Sequence, residues 1–147
     1  MPASAWFVFH AAKTKMGDGT FDLDTHTWKC ALLNSGWTPS LSGNGVWGDI
    51  SANGLATNFG YTAGGQNLTG VTWTNAAGTM KFTSANPTWN AAGDNIVARY
   101  AAIYNDTDAS KGLLCYCLLD TAPADVTAAS GSAFVVQMNA AGIFTLA

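Results

Sequence analysis

The tetrapeptide NAAG occurs three times in the chain, at residues 75–78, 90–93 and 139–142. Each copy lies beside apolar runs that are typical of strands, as in TWTNAAGTMKF and VVQMNAAGIFTL. Asparagine at the first turn position can bond the backbone two residues on, and glycine at the fourth suits a type I turn that closes into a bulge. The copies begin 15 and 49 residues apart, so they do not form a solenoid repeat. They predict turns or hairpins between antiparallel strands.

The apolar runs around these turns predict seven or eight strands. They lie near residues 27–34, 66–74, 79–84, 95–105, 111–119, 132–138 and 143–147. All acidic residues are aspartates, and the plentiful Asn, Asp and Gly favour turns over helices. We therefore expect residues 1–147 to form a single all-β domain, a jelly-roll-like antiparallel β-sandwich with a short N-terminal helix.

The N-terminal segment, residues 1–17, is expected to be a helix or arm. Large apolar side chains recur at near-helical spacing over residues 5–16, which predicts an amphipathic helix. The FVF triplet at residues 7–9 allows a short strand instead. Both alternatives end at GDG, residues 17–19, because glycine and aspartate break regular structure.

Two predicted strands carry unusual side chains. In KGLLCYCLLD, Cys115 and Cys117 share one face and Leu114 and Tyr116 share the other, so both faces are apolar. A strand of an antiparallel sandwich normally alternates. We expect the helix, a long loop or a neighbouring subunit to cover the second face. The lone Arg99 lies on an apolar row, where we expect a carboxylate or a carbonyl group to meet it.

Residues 35–65 form a long excursion that is rich in Ser, Gly, Asn and Thr. We expect it to lie on the surface with one short strand around VWGDI, since connections of this length are usually functional or poorly ordered. It carries Trp37 and Trp47, and tryptophan is enriched at interface hot spots. These two residues, with Trp6 and Phe9 of the N-terminal arm, are the candidates for a contact surface.

The composition points to a protein that assembles. Hydrophobic residues make up 48% of the chain and charged residues only 10%, against a usual charged share of about 25%. Monomers free in solution keep apolar patches small. A surface this poor in charge is therefore expected to be partly covered by copies of the chain or by another protein.

Charge and hydropathy also indicate which partners are absent. The net charge is −3 and no basic cluster is visible, so we expect no nucleic acid partner. No apolar run approaches the roughly 20 residues of a membrane span. The N-terminal lysines follow the apolar stretch, the reverse of a secretory signal. We therefore expect the three cysteines to be free thiols in a reducing cytoplasm.

The stretch DLDTHTWKCALL at residues 22–33 offers a candidate metal site. On a strand, Asp22, Asp24 and His26 would point to one side as oxygen and nitrogen ligands. Their spacing matches no EF-hand loop and no zinc motif. The favoured alternative is that these residues cap a turn and form the solvated entrance to a strand.

The sequence contains no recognisable catalytic motif and only one weak candidate pair of catalytic residues. The sequence has no nucleophile elbow, phosphate-binding glycine loop or HExxH motif. Asp106 and Asp108 resemble a glycosidase pair but lie in YNDTDAS, which is typical of a turn. Cys30, Cys115 and Cys117 would need a fourth ligand for zinc and are more simply buried hydrophobes. We expect no enzyme, no cofactor and no catalytic or metal-binding residue.

Four stretches taken in order are more informative together than alone. They are DLDTHTWKCALLNSGWTP, GYTAGGQNLTGVTW, ARYAAIYNDT and NAAGIFTLA. From about residue 6 to the end, the chain resembles a group of small virion structural proteins of tailed bacteriophages. It departs from their pattern at His26, where an aspartate is common, and this weakens any shared metal site.

The resemblance implies a jelly-roll-like capsid decoration (cement) protein. Such a protein would bind the major capsid protein on the head surface of the virion and lock capsomers against DNA pressure. We expect a dimer or trimer, assembled in the host cytoplasm, whose weak contacts add up over the lattice. The alternative is a tail-associated receptor- or glycan-binding module, with Trp37 and Trp47 exposed in a groove.

Overall fold

Antiparallel strands account for most of the regular structure, as the turn pattern predicts. The computed structural model describes residues 3–147, within which twelve strands accompany one α-helix and two short 3₁₀ helices. The helix α1 spans His10–Gly17, and the 3₁₀ helices span Trp47–Asp49 and Ser51–Asn53. The strands are β1 (Phe7–Val8), β2 (Trp28–Leu33), β3 (Gln66–Asn67), β4 (Thr72–Ala76), β5 (Thr79–Thr83), β6 (Thr88–Asn90), β7 (Ile96–Ala98), β8 (Tyr100–Asn105), β9 (Leu113–Leu118), β10 (Val126–Ala128), β11 (Ala133–Val135) and β12 (Phe144–Leu146).

Five strands form the largest sheet, in the order β1-β9-β8-β2-β3, with every neighbouring pair antiparallel. One face of this sheet lies in the core. Cys30 pairs with Ile103, which pairs in turn with Cys115, and none of the three is exposed to solvent. A slip of one residue would turn this apolar row to the opposite face, so the row fixes the register of β2, β8 and β9.

A second sheet, in the order β12-β5-β4, packs against this core face. The rings of Trp28 in β2 and Phe82 in β5 meet edge to face at 5.8 Å, and both are fully buried. Two further antiparallel pairs, β7 with β10 and β6 with β11, add to the fold. The predicted all-β fold of antiparallel strands with a short helix near the N-terminus is confirmed. The jelly-roll strand order stays a prediction.

The opposite face of the five-stranded sheet, here called the tyrosine face, is covered by the chain itself. Trp37 packs edge-on against Tyr100 and Tyr116, with ring centroids 5.1 and 5.2 Å apart. The ring of Phe9 lies 5.5 Å from that of Tyr116. The two apolar faces predicted for β9 are therefore real. The N-terminal segment and the 35–65 excursion cover the second face.

The excursion also closes the end of β2 that β3 leaves unpaired. The backbone N–H of Leu32 donates to the hydroxyl of Tyr61 at 2.9 Å, and the carbonyl of Leu32 accepts the N–H of Leu55 at 3.0 Å. Gly65 has φ +79°, and a Cβ there would overlap the carbonyl oxygen of Cys30. Only glycine lets the chain approach β2 this closely. The excursion is therefore an ordered part of the fold.

The N-terminal alternatives are each met in part, since residues 7–8 form β1 and a short helix follows at His10–Gly17. Trp6 and Phe9, which the predicted amphipathic helix included, lie outside α1, and Ala12 is its only buried residue. Two long predicted strands are each divided. The 66–74 run gives β3 and β4, and the 95–105 run gives β7 and β8 on either side of Arg99. The Arg99 Nε donates to the Asp125 carboxylate at 2.7 Å, as expected for this cation.

The strand predicted around VWGDI is wrong, because Trp47–Asp49 is a 3₁₀ helix. The carboxylate of Asp49 accepts the backbone N–H groups of Gly45 and Val46, at 2.7 and 3.0 Å, and winds the chain locally. Side-chain bonds of this kind compete with strand pairing. The short strands β6 and β10 were not predicted.

The first and third NAAG copies lie at turns, and only the first closes a hairpin, between β4 and β5, whereas the second runs from the end of β6 into a bend. There Ala77 and Gly78 both have positive φ, +52° and +88°, which is typical of a type I′ turn and not of the predicted type I. In the third copy, the N–H of Gly142 donates to the carbonyl of Asn139 at 2.9 Å. The second and third copies lead into strands that pair elsewhere.

Candidate interaction surface

The four predicted contact residues do not form one exposed surface. Phe9 is fully buried, and Trp37, which the excursion itself contributes, is 5% exposed. Trp47 is half-buried and stacks on Tyr104 with ring centroids 4.7 Å apart, and Trp6 is half-buried. In this fold Phe9 and Trp37 stabilise the tyrosine face, so their side chains are not available to a partner.

The DLDTHT stretch forms a turn and not the strand face that the metal hypothesis requires. Hydrogen bonds from Thr25 and Asp24 to the Asp22 carboxylate, at 3.0 and 2.9 Å, lower the pKa of Asp22. The Nδ1 atom of His26 lies 2.8 Å from the amide nitrogen of Asn105. Within residues 3–147, no group of three His, Cys or Asp side chains is placed to hold a metal ion. The stretch serves as a polar lead-in to β2.

The Asp106 and Asp108 carboxylates are held by cations. Asp106 accepts a hydrogen bond from the Nζ of Lys111 at 2.8 Å, which lowers its pKa. Burial disfavours the charged form of Asp108, but hydrogen bonds from Ser110 and Lys15 outweigh this and hold its pKa well below the usual range. A glycosidase pair needs one carboxyl of raised pKa as the acid. This pair has none.

The three cysteines lie in the core, as predicted, with free thiols. Burial raises the pKa of Cys117 to about 12 and, together with the neighbouring cysteines, raises the pKa values of Cys30 and Cys115 well above their ordinary value. Thiolates are the nucleophilic and metal-binding form. These thiols are therefore protonated at neutral pH and act as small apolar side chains.

One apolar row of the three-stranded sheet extends beyond the core. Trp73 and Phe144 flank the buried Phe82 in register on β4, β12 and β5. Two residues further along, Leu146 pairs with Met80, and Leu146 is 62% exposed. Because side chains alternate along a strand, Leu146 and Met80 lie on the same face of the sheet as Phe82. This face covers the core around Phe82 and reaches solvent at Leu146.

A cleft of about 640 Å³ lies between this projecting row and the end of α1. Its size falls within the range of about 300–1,000 Å³ found for ligand pockets. Lys13 and Asp22 are its charged residues, and neither makes an ion pair within the described residues. The apolar side chains that line this cleft, here called the Trp73–Leu146 cleft, are Met16, Phe21, Leu23, Trp73 and Leu146.

The sequence did not single out this cleft. The predicted strands at residues 66–74 and 143–147 include Trp73 and Leu146, and both residues do lie on strands. The cleft arises only when α1 packs beside the three-stranded sheet. A usable signal was the apolar alternation of Phe144 and Leu146, which continues to the end of the strand where a solvated edge would be polar.

Comparison with known proteins finds no match for this chain among protein-family models, curated proteins or solved structures. The four motifs that resemble virion proteins therefore stay a prediction from sequence. No helix in the described part of the chain combines the length and the apolarity that crossing a membrane requires.

Proposed function

We propose that this chain is a structural protein of a tailed-phage virion, a decoration protein that binds the major capsid protein on the head surface. The observation that carries this proposal is the Trp73–Leu146 cleft, a mostly apolar surface left open on a chain with only 10% charged residues. The order of the four sequence motifs supports the same role. Concave, mostly apolar clefts with a few polar groups are typical of binding sites.

The mechanism is apolar burial across capsomer joints. An apolar side chain of the capsid protein enters the cleft and covers Leu146, and full burial of one leucine is worth about 1.5–3 kcal/mol. Such a contact is weak alone. A dimer or trimer that engages several capsomers at once gains avidity of about 10²–10⁴ without any new contact. The shell is thereby held together by many small contacts.

The tail-associated alternative has less support. It relies on Trp37 and Trp47 exposed in a groove, whereas Trp37 is buried and Trp47 is stacked on Tyr104. The pair of aspartates in YNDTDAS lacks a proton donor, which gives an enzymatic role no support either. A decoration protein needs neither a groove lined by tryptophans nor a catalytic proton donor.

The proposal is tested by sedimenting the chain with expanded capsid shells, assembled from the major capsid protein of the phage that encodes the chain. We predict that the chain co-sediments with shells and that Leu146→Asp weakens binding by roughly tenfold to a hundredfold, since it places a charge in the apolar contact. Because Leu146 is 62% exposed, the thermal midpoint of the isolated variant should stay unchanged.

Val135→Asp is the matched control, since Val135 is 48% exposed on β11 and does not line the cleft. It should leave shell binding intact. Failure of the unmodified chain to bind shells, or equal binding by Leu146→Asp, would contradict the proposal. Binding to purified tails in place of heads would favour the tail-associated alternative.

A further inference from the structure

A second concave site lies around Phe59, and its lining shares no residue with the Trp73–Leu146 cleft. It encloses about 350 Å³, at the small end of the range for small-molecule pockets. Phe59 and Val97 on its rim are 38% and 41% exposed. The residues that line it are uncharged, among them Leu55, Asn58, Phe59, Tyr61, Asn95 and Val97.

The turn that presents Phe59 is strained. Asn58 and Tyr61 exchange both backbone hydrogen bonds, at 3.0 and 2.8 Å, so Phe59 and Gly60 form a two-residue turn. Both have positive φ, +52° and +87°, the type I′ geometry in which Asn-Gly is the preferred pair. A bulky residue at positive φ is a genuine outlier, and such outliers cluster at functional sites.

The same turn is held rigidly. The carbonyl of Phe59 accepts the N–H of Ala92 at 3.1 Å. A Cβ on Gly60 would overlap the carbonyl oxygen of Asn90, so the turn packs directly on the chain that follows β6. The backbone that carries the exposed ring is therefore fixed before any ligand arrives, and preorganisation of this kind lowers the entropic cost of binding.

Two exposed asparagines of the lining, Asn58 and Asn95, have side-chain amide donors without a protein partner in the described part of the chain. The Oδ1 of Asn58 accepts the N–H of Phe59 at 3.0 Å, and the Oδ1 of Asn95 accepts the N–H of Ser130 at 3.2 Å. A backbone N–H can only donate, so in each amide the oxygen faces the backbone and the NH₂ group faces away. Neither NH₂ group has a hydrogen-bond partner within the described residues.

We propose that this pocket, here called the Phe59 pocket, binds a neutral saccharide. The apolar face of a sugar ring would lie on the Phe59 ring and Val97, and its hydroxyl oxygens would accept hydrogen bonds from the Asn58 and Asn95 amides. A charged ligand would find no counter-charge in the lining. A purely apolar ligand would cover both amide donors without satisfying them. The site does not depend on a position in head or tail.

Phe59→Asn separates binding from folding. Asparagine tolerates positive φ and restores the favoured Asn-Gly pair, so the thermal midpoint of this variant should be equal to or higher than that of the unmodified chain. The variant lacks the ring, so saccharide affinity should fall by about tenfold or more. This combination of results would show that the Phe59 ring contributes to ligand binding and not to folding.

Asn58→Asp tests the amide. The carboxylate keeps an acceptor for the Phe59 N–H but replaces the free donor by a second acceptor, so binding should fall while the fold persists. The matched control is Val135→Thr, an exposed β-branched residue on β11 outside the pocket. It should leave both folding and binding unchanged.

The experiment uses the full chain, without capsid, on an array of neutral and charged glycans. Hits are followed by amide NMR titration with methyl glycosides of glucose, galactose, mannose and N-acetylglucosamine. We expect saturable binding of a neutral sugar, with shifts at Gly60 and Val97. The proposal is overturned by the absence of saturable binding at the highest soluble concentrations, by a preference for charged glycans, or by equal binding in Phe59→Asn. Shell binding is measured separately, so either proposal can fail alone.

Discussion

At the scale of single residues, Gly65 is the clearest case of a side chain that must be absent. Its φ of +79° and its contact with the Cys30 carbonyl both exclude a Cβ. We predict that Gly65→Ala lowers the free energy of unfolding by about 3 kcal/mol or more in urea titration. Gly19 also has positive φ, +83°, but nothing within 4 Å of a Cβ. Gly19→Ala should therefore cost only about 1–2 kcal/mol, and equal losses at the two sites would contradict this explanation.

Asp108 carries the second prediction at this scale. Its Oδ2 accepts hydrogen bonds from Ser110 Oγ, Lys15 Nζ and the N–H of Gly112, at 2.7, 3.0 and 3.1 Å. Hydrogen bonds to a charged group are each worth about 1.5–3 kcal/mol. We expect Asp108→Asn to lower the free energy of unfolding by about that amount at pH 7, measured by urea denaturation.

The pH dependence of this contribution follows from the direction of the pKa shift. The folded-state pKa of Asp108 lies below its unfolded value of about 3.9, so its stabilisation is complete above that value and is lost as pH falls towards the folded pKa. The difference in stability between the chain and Asp108→Asn should thus shrink below about pH 4. A difference that stays constant down to pH 2 would show that the carboxylate charge is not responsible.

Core residues on the regular strands could be predicted from sequence, whereas core residues in the N-terminal arm and the excursion, such as Phe9 and Trp37, could not. The sequence predicts Cys30, Cys115 and Cys117 in the core because a free cysteine behaves as a small hydrophobic residue, and all three are buried. Trp37 was assigned to a contact surface because it lies in a polar stretch. Its burial depends on the partners Tyr100 and Tyr116, which come from strands far away in sequence, and local composition carries no information about them.

At the scale of elements, the excursion acts as a cap on the edge of β2. Tyr61→Phe would leave the buried N–H of Leu32 without its acceptor. We predict a loss of about 1–3 kcal/mol in the free energy of unfolding, with faster hydrogen exchange of the Leu32 amide. Tyr100→Phe is the control and should change stability by no more than about 0.5 kcal/mol. Equal effects would mean that the Tyr61 hydroxyl does not close the edge.

Element type was more predictable than element boundaries. The strand periodicity located β2, β5, β8 and β9 because their apolar residues face a core on one or both sides. It missed the 3₁₀ helix at Trp47–Asp49, where the Asp49 side chain bonds the preceding backbone. It also ran through Arg99, where the chain changes from one sheet to another. Such breaks depend on pairing partners and not on local pattern.

At the scale of the whole molecule, the chain buries as much surface as a monomer of its size. Its accessible surface of 6925 Å² is close to the roughly 7,100 Å² expected for a folded monomer of 15.2 kDa. The tyrosine face needs no neighbouring subunit, because the N-terminal segment and the excursion cover it. In the proposed function, contacts with other chains are added to an already folded unit through the Trp73–Leu146 cleft.

Cryo-electron microscopy of expanded shells saturated with the chain tests this account most directly. The account predicts density for the chain on the outer surface at joints between capsomers, with Trp73 and Leu146 covered by the capsid protein. Shells that carry no chain, or a bound chain whose Trp73–Leu146 cleft faces solvent, would contradict it.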